Sequence, residues 1–386
     1  MTRALASACL IALLGWAAGA PAGAQTQSTV VLAGYGSATY EGVLNDDYPN
    51  DFSASVSPVV LYSLGGDILF EAELEFGLSG ELTTTTLEYA QVDYMGFDNF
   101  QIVAGKFLLP FGIFGERLHP SWVNKLPSSP ILFGHAHGGV AEDALLPIMS
   151  DAGVMLRWAQ PFGTGWSLAF SGWVSQGPRL VEATEGDDHT HALVAPIPVT
   201  ASDAVSGLAE SGSGGQLVDL PTPPVGFGVA FRDNNKNKML GGRIGVVKGP
   251  SFEAYVSGFH AMYDAEDFLD YAAGALSMEW RRGTFELRGE GVLLRQEFEQ
   301  AVGIFETLER SGFYVQASKR FGAWEPVARF GRMNDAVVAD VVVGEAHSQL
   351  ALGLDYWFAS SIPLKLAWEY HEDDDDRLVV QWAFGF

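Results

Sequence analysis

The chain has 386 residues, with 22 Lys+Arg against 47 Asp+Glu and a formal net charge of −25. So acidic a balance lacks the basic footprint that nucleic-acid binding needs, so nucleic acid is excluded as a partner. Hydrophobic residues are 48% of the chain, yet past the N-terminus no stretch reaches the ~18 uninterrupted apolar residues of a membrane-crossing helix. They alternate with polar residues instead, and with 45 glycines and 12% aromatics that pattern predicts strands.

The first element reads as a secretory leader. Met1-Thr2-Arg3 is a short positive start, Leu10 to Ala20 is apolar, and Ala22-Gly23-Ala24 is an A-x-A cleavage site. Residues 1–24 are therefore expected to be a signal peptide, with the mature chain at 25–386. The apolar run is too short to anchor in a bilayer of roughly 30 Å. The single cysteine, Cys9, precedes the cleavage site, so the mature chain would have neither disulfide nor thiol chemistry.

Alternation then predicts about sixteen strands of roughly ten residues, the length a tilted membrane strand needs. They fall at 29–41, 51–63, 67–79, 86–95, 98–106, 152–160, 165–176, 239–248, 251–262, 272–281, 284–294, 311–320, 324–333, 347–358, 362–371 and 377–386. Pro58, inside the second, removes a ladder donor and is expected to mark a bulge. Short links such as SLGG, MGFD, KGP and RFGA alternate with longer polar ones. That is the rhythm of an antiparallel transmembrane β-barrel with short periplasmic turns and long outer loops. In the last strand, Leu378, Val380, Trp382, Phe384 and Phe386 form one large apolar face, with aromatics gathered where a membrane-interface girdle would sit.

The same alternation separates lipid from lumen. In the third strand Ile68, Phe70, Ala72, Leu74 and Phe76 share one face and Glu71, Glu73 and Glu75 the other. These carboxylates lie about 7 Å apart along the strand, and aiming them at lipid would be costly, so they are expected to line the pore. The other pore-lining candidates are Arg157, Arg243, Arg281, Glu286, Arg288, Glu290, Arg329 and Asp355, with Glu253, Glu279, Lys365 and Glu369 also inward. In a sixteen-stranded barrel the third strand faces the eleventh. An acidic wall opposite Arg288 would set up a transverse field, unless Glu286, Arg288 and Glu290 only neutralise one another. The inward acids outnumber the bases, which predicts weak cation preference.

Two links are much longer than the rest. The third outer loop, 107–151, carries Pro110, Phe111, Arg117, His119, Trp122, His135 and His137 and is less polar than a surface loop should be. That composition predicts burial inside the lumen as a constriction loop; packing on the barrel mouth or in a subunit interface is the alternative. The second, 177–238, contains ESGSGGQ and LPTPP and reads as flexible or partly disordered surface. The run Asp373 to Asp376 reads as a solvated loop tip.

His135-Ala136-His137 places two imidazoles at the spacing that can share a metal in extended chain, as do His189 and His191 beside Asp187 and Asp188. No cysteine supports either pair, so no metal is assigned and His135 and His137 stand only as candidates. There is no G-x-S-x-G, H-E-x-x-H or P-loop, so neither an enzyme nor a cofactor is expected. A barrel that sheathes or docks a partner component, or one that binds metal ions, remains the alternative reading.

Taken together, leader, strands, long third loop and terminal Phe386 resemble the general sixteen-stranded trimeric porins. GKFLLPFG, at Gly105 to Gly112, is similar to the junction between the fifth strand and the third loop in the phosphate-selective porin O/P-like families. The resemblance implies passive diffusion of small hydrophilic solutes or ions through a homotrimer set in outer-membrane lipid of a Gram-negative bacterium. Those families draw phosphate selectivity from arginine and lysine ladders; with 22 basic residues against 47 acidic ones, this chain departs from that pattern.

Overall fold

A computed structural model describes residues 28–44, 50–79, 82–134, 144–180, 225–228, 235–301, 303–372 and 375–386. Sixteen long strands run in chain order as β1 (Ser28–Val43), β2 (Asp51–Leu64), β3 (Ile68–Ser79), β4 (Leu82–Phe97), β5 (Phe100–Leu108), β6 (Ser150–Phe162), β7 (Trp166–Ser175) and β8 (Met239–Lys248). They continue as β9 (Phe252–Met262), β10 (Asp270–Arg282), β11 (Phe285–Ala301), β12 (Ile304–Lys319), β13 (Trp324–Met333), β14 (His347–Ala359), β15 (Ile362–His371) and β16 (Arg377–Gly385). Each pairs antiparallel with the next, and β16 returns to β1 with Tyr35 opposite Gly385 and Val43 opposite Arg377. The closed sheet has no free edge, so every strand finds backbone partners on both sides, as a hydrocarbon solvent requires. This is the transmembrane barrel, with the strand number, that the alternation predicts.

Side-chain periodicity divides the two faces as expected. On β16, Leu378, Trp382, Phe384 and Phe386 are exposed outward while Val379, Gln381 and Ala383 are buried inward. On β3, Ile68, Phe70 and Phe76 face out and Glu73 and Glu75 are buried. Aromatic rings cluster at the short-turn end: Tyr94, Phe97 and Phe100 form one group, Phe162, Trp166 and Phe252 another, and Trp324, Tyr356, Phe358 and Trp382 a third. Amphipathic rings of this kind favour a membrane–water boundary. Phe386 pairs with Gly34 through both backbone groups, at 3.0 and 2.9 Å, and its ring lies over that glycine.

The strands that overrun the alternation most are β4, β11 and β12. Their extra residues do not follow the lipid-facing alternation: Thr83–Thr85 are polar, and Phe298 and Leu308 turn to a small cluster with Ala336, Val338 and Val343, yet the hairpin ladder continues through them. Backbone pairing needs no side-chain pattern, so periodicity cannot see it. A small hairpin, Ala336–Val338 with Val341–Gly344, extends this outer sheet against β12.

Pro58 does not mark a bulge. The register from β1 runs through it unbroken, with Gly34 opposite Pro58, and pairing to β3 lapses at Ser57 and Pro58 without shifting. The missing N–H removes one rung, and the ladder resumes in phase. A bulge lies two strands further on, in β4, where the register with β3 shifts between Glu73 and Leu74 and Glu88 is the extra residue. The described part of the Asp373–Asp376 run is engaged: Asp376 accepts from the Trp368 indole at 3.2 Å and from the Leu44 backbone at 2.8 Å.

Candidate functional site

The barrel interior is occupied by the third loop, which enters through the GKFLLPFG motif. Both motif glycines adopt backbone angles that side chains resist, with φ +126° at Gly105 and +68° at Gly112. A Cβ on Gly112 would sit 2.2 Å from a Glu290 carboxylate oxygen, so only glycine permits this approach. Past it, Glu290 on β11 accepts from the backbone of Ile113 at 2.7 Å and Phe114 at 2.9 Å, from Ser277 at 2.8 Å and from Tyr314 at 2.8 Å. Ser257 accepts from the Gly112 N–H at 3.0 Å, and Arg243 donates to the Gly112 carbonyl at 2.9 Å. The loop's first turn is thereby fastened to β8, β9 and β11, with Ser277 of β10 and Tyr314 of β12 holding the Glu290 carboxylate in place.

Apolar packing follows the same path. Pro110, Phe111, Ile113, Phe114 and Leu118 are buried among inward residues of the wall. Phe114 stacks on Phe133 at 5.3 Å and meets Tyr314 edge-on, and Phe111 packs against Phe259. Each buried phenylalanine contributes ~1.5–3 kcal/mol. Phe227, from the second long loop, joins Phe259 and Tyr271 in this cluster. That corrects the expectation of flexible or partly disordered surface at these positions: residues 225–228 are largely buried inside the barrel, because Val225 and Phe227 are apolar residues that the Gly/Ser- and Pro-rich composition around them obscures.

The second half of the loop is held by charge. Lys125 bridges Glu286 at 3.2 Å and Glu325 at 2.6 Å. Ser128 donates to Glu369 and accepts from Arg329 at 2.6 Å, while Arg329 also reaches the Ser128 carbonyl at 2.9 Å. Lys365, fully buried, donates to the carbonyls of Ser121 and Asn124 and to Gln381, and lies cross-strand from buried Asp355. Arg288 donates to Asn124 at 3.3 Å. Inward glycines make room for the loop: Trp122 lies against Gly385, Leu126 against Gly353, Ile131 against Gly331 and Leu132 against Gly312.

The predicted arrangement of opposed walls is therefore corrected. Arg288 and Arg329 are only 1% exposed beneath the loop, so they do not look across an open lumen at β3. Glu286 and Glu290 turn to the loop, and Arg281 pairs with Glu279 and with Glu286. A wall seen only as alternating residues gives no sign of what covers it.

The arginine near the acidic face is Arg157 on β6, which interacts with Glu71 on β3 and Asp93 on β4. Glu73, beside them, accepts from Tyr35 at 2.6 Å, and Glu75 is buried next in line. Arg157 and Arg243 both bind Glu116, at 3.2 and 2.5 Å, within a five-residue π-helical turn, Phe114–Leu118. Arg117, in the same turn, pairs with Glu253 at 2.7 Å. Burial pushes the Glu116 carboxyl up, but Arg243, Arg157 and Arg117 outweigh it and hold it below the usual range. Arg117 is raised, burial being overcome by Glu253 and Glu116. His119 closes the turn through its backbone N–H, at 3.1 Å from the Phe114 carbonyl. His135 and His137 lie outside the described residues.

Sequence reasoning missed Glu116, Lys125, Asp93 and Glu325. The last two were findable, since Asp93 alternates inward with Gln91 and Glu325 with Val327 and Arg329. Glu116 and Lys125 sit in irregular chain, where no periodicity assigns a direction.

A closed sixteen-stranded antiparallel barrel with its third loop folded inside defines the class: a porin-like transmembrane barrel. Solved structures share it. The outer membrane channel DcaP of Acinetobacter baumannii superposes with a TM-score of 0.54 at 12% identity, over 93% of this chain and 97% of that one. An anion-selective porin from Comamonas acidovorans gives 0.53 at 13% identity, over 93% and 100%. Salmonella typhi OmpF, in complex with daunomycin, gives 0.56 at 10% identity, over 92% and 97%. Identities this low establish the fold alone. No family model and no curated protein matches the sequence, and the resemblance to the phosphate-selective families gains no support.

Proposed function

We propose that this protein is an outer-membrane porin: a water-filled channel for passive diffusion of small hydrophilic solutes or ions, weakly cation-preferring, exported by a signal peptide at 1–24 and assembled as a homotrimer. The observation that carries this reading is the infolded third loop. Its named anchors run to β1, β6, β8, β9, β11, β13 and β15, so it narrows the lumen from that side. The carboxylates of β3 and β4 form the remaining face. Partial exposure of Glu71, Arg117 and Arg157 supports water reaching this level.

Cation preference follows from the distribution of charge. Several wall charges under the loop, Glu286, Glu290, Glu325, Arg329 and Lys365, have loop partners, whereas Glu71, Glu73 and Asp93 stand together on the opposite face with Arg157 acting on Glu71 and Asp93. A lumen face of one sign raises the local concentration of the opposite ion. A barrel that sheathes a partner would need an open interior, and the loop occupies it. Purified protein in planar bilayers is expected to give stepwise conductance, with a reversal potential in a KCl gradient that favours potassium. Anion preference would overturn the charge argument, and absence of steps would overturn the channel.

A further inference from the structure

We propose that the short-turn end of the barrel, which in such barrels faces the periplasm, carries an outward-facing site for anionic phospholipid headgroups, built by Lys248, Arg282 and Lys319 on three successive hairpins. Such a site is independent of whether the barrel conducts. Lys248 ends β8 opposite Phe252 of β9, and Phe252 lies opposite Trp280 of β10. Two residues further on, Arg282 lies opposite Phe285 of β11, and Phe285 opposite Lys319 of β12. Even residues of β8 and β10 and odd residues of β12 point outward, as exposed Ile244, Leu276 and Phe313 show. All three cations therefore stand on the lipid side, and all three are exposed. Consecutive cations are two strands apart, about 10 Å, with an aromatic ring between them.

Their surroundings set them apart from ordinary solvated turn residues. The acids of the same hairpins, Glu253, Glu279 and Glu286, point the other way, into the barrel, where they meet Arg117, Arg281 and Lys125. Among the described residues none of the three outward cations has an ion-pair partner. Instead the Lys248 ammonium sits 5.2 Å over the Trp166 ring, and the Lys319 ammonium 4.9 Å over the Phe321 ring. The rings hold the charged heads where the hydrocarbon ends, with the stems along the apolar wall. Unpaired cations at this level, next to lipid-facing apolar surface, complement a ligand with a negative head and an apolar tail, which is a phosphodiester carried on acyl chains. Free phosphate would meet the charge and leave the apolar wall uncovered. A zwitterionic headgroup brings its own cation and so gains less.

The test is native mass spectrometry of the folded full barrel in detergent, offered an equimolar mixture of phosphatidylglycerol and phosphatidylcholine with the same acyl chains. A basic side chain at the headgroup layer favours an anionic lipid about fivefold, so each of the three positions should hold phosphatidylglycerol over phosphatidylcholine by about that ratio. K319Q should lose one preferentially bound phosphatidylglycerol, and the triple variant K248Q/R282Q/K319Q should retain the two lipids equally. R295Q removes one positive charge from the outer end, where Glu309 pairs with Arg295 at 2.9 Å, and should keep the wild-type preference. Excess inorganic phosphate should leave the bound lipid in place. Equal retention of the two lipids by wild type overturns the proposal, as does a triple variant that keeps the preference. An R295Q that loses as much as K319Q also overturns it, since that reports net charge alone, and displacement by inorganic phosphate would reduce the site to a simple anion site. If the triple variant fails the heat-modifiable gel shift of a folded barrel, the single variants K248Q and K319Q decide. A wild type that binds phosphatidylglycerol without conducting removes the channel reading and leaves this one standing, whereas a conducting wild type without lipid preference removes this one only.

Discussion

Replacing Glu290 by alanine should release the third loop while leaving the barrel closed. The carboxylate receives four hydrogen bonds, from Ile113 N, Phe114 N, Ser277 and Tyr314, in a site where Glu290 is 2% exposed. Two of these, from Ile113 and Phe114, join loop to wall; at ~1.5 kcal/mol each, the low end for a charged acceptor, the loss of docking free energy is ~3 kcal/mol. Water entering the vacated space would offset part of it, leaving roughly 1.5–3 kcal/mol, or about tenfold to a hundredfold in the docked-to-released ratio. The β10–β11–β12 ladder is backbone pairing and stays intact. Two readouts follow. Single-channel records should become noisier and larger in conductance, and trypsin should cut after Arg117 or Lys125, which the native loop holds in ion pairs. If the folded variant matches wild type in both conductance noise and tryptic resistance, Glu290 does not anchor the loop and the account of the site fails.

Gly112→Val should act through the same contact. The strained φ of +68° and the 2.2 Å approach to Glu290 together predict loop release comparable to that of Glu290→Ala, and a variant as quiet as wild type would contradict it. Acid should loosen the loop through Glu116. Its folded-state pKa is depressed by Arg243, Arg157 and Arg117 against the opposing effect of burial, so its stabilisation is complete above the unfolded value of about 4.3 and is lost as pH falls through the lower folded value. Conductance noise that rises only below about pH 4.3 and is absent from the E116Q variant is expected; a transition unchanged in E116Q would assign it to other groups. On the outer face, Leu276→Arg exposes a charge at a position that is 64% exposed on β10, and should destabilise the barrel in liposomes by about 2–4 kcal/mol in a urea titration. An unaltered midpoint would place that strand elsewhere than against lipid.

The barrel was legible because a lipid solvent imposes a strict rule. Every second residue of a spanning strand faces hydrocarbon, so Leu378, Trp382 and Phe384 announce their direction, and Glu71, Glu73 and Glu75 announce theirs by exclusion. Third-loop burial was legible from its apolar composition. What the loop touches was not. Glu290 reads as one of two inward glutamates on β11, beside Glu286, and nothing in its neighbours shows that two backbone N–H groups arrive from 176 and 177 residues away. The ends of β4, β11 and β12 were hidden for the opposite reason, since above the membrane no solvent rule constrains the side chains of a ladder that still pairs.

The interior charges also explain why a chain of net charge −25 can fold a loop into its own lumen. A loop brought against a wall of like charge would be repelled, and one brought against unpaired buried charge would leave it desolvated. Here the loop supplies the missing sign at each step: Lys125 to Glu286 and Glu325, Glu116 to Arg157 and Arg243, backbone N–H groups to Glu290, and backbone carbonyls to Lys365 and Arg329. Removing one partner of such a pair is more damaging than replacing both, because the survivor stays buried and uncompensated. The double variant Lys125→Met with Glu325→Leu should therefore be more stable than Lys125→Met alone. Reversal of that order in thermal unfolding of the folded barrel would mean that water, not the loop, satisfies the wall.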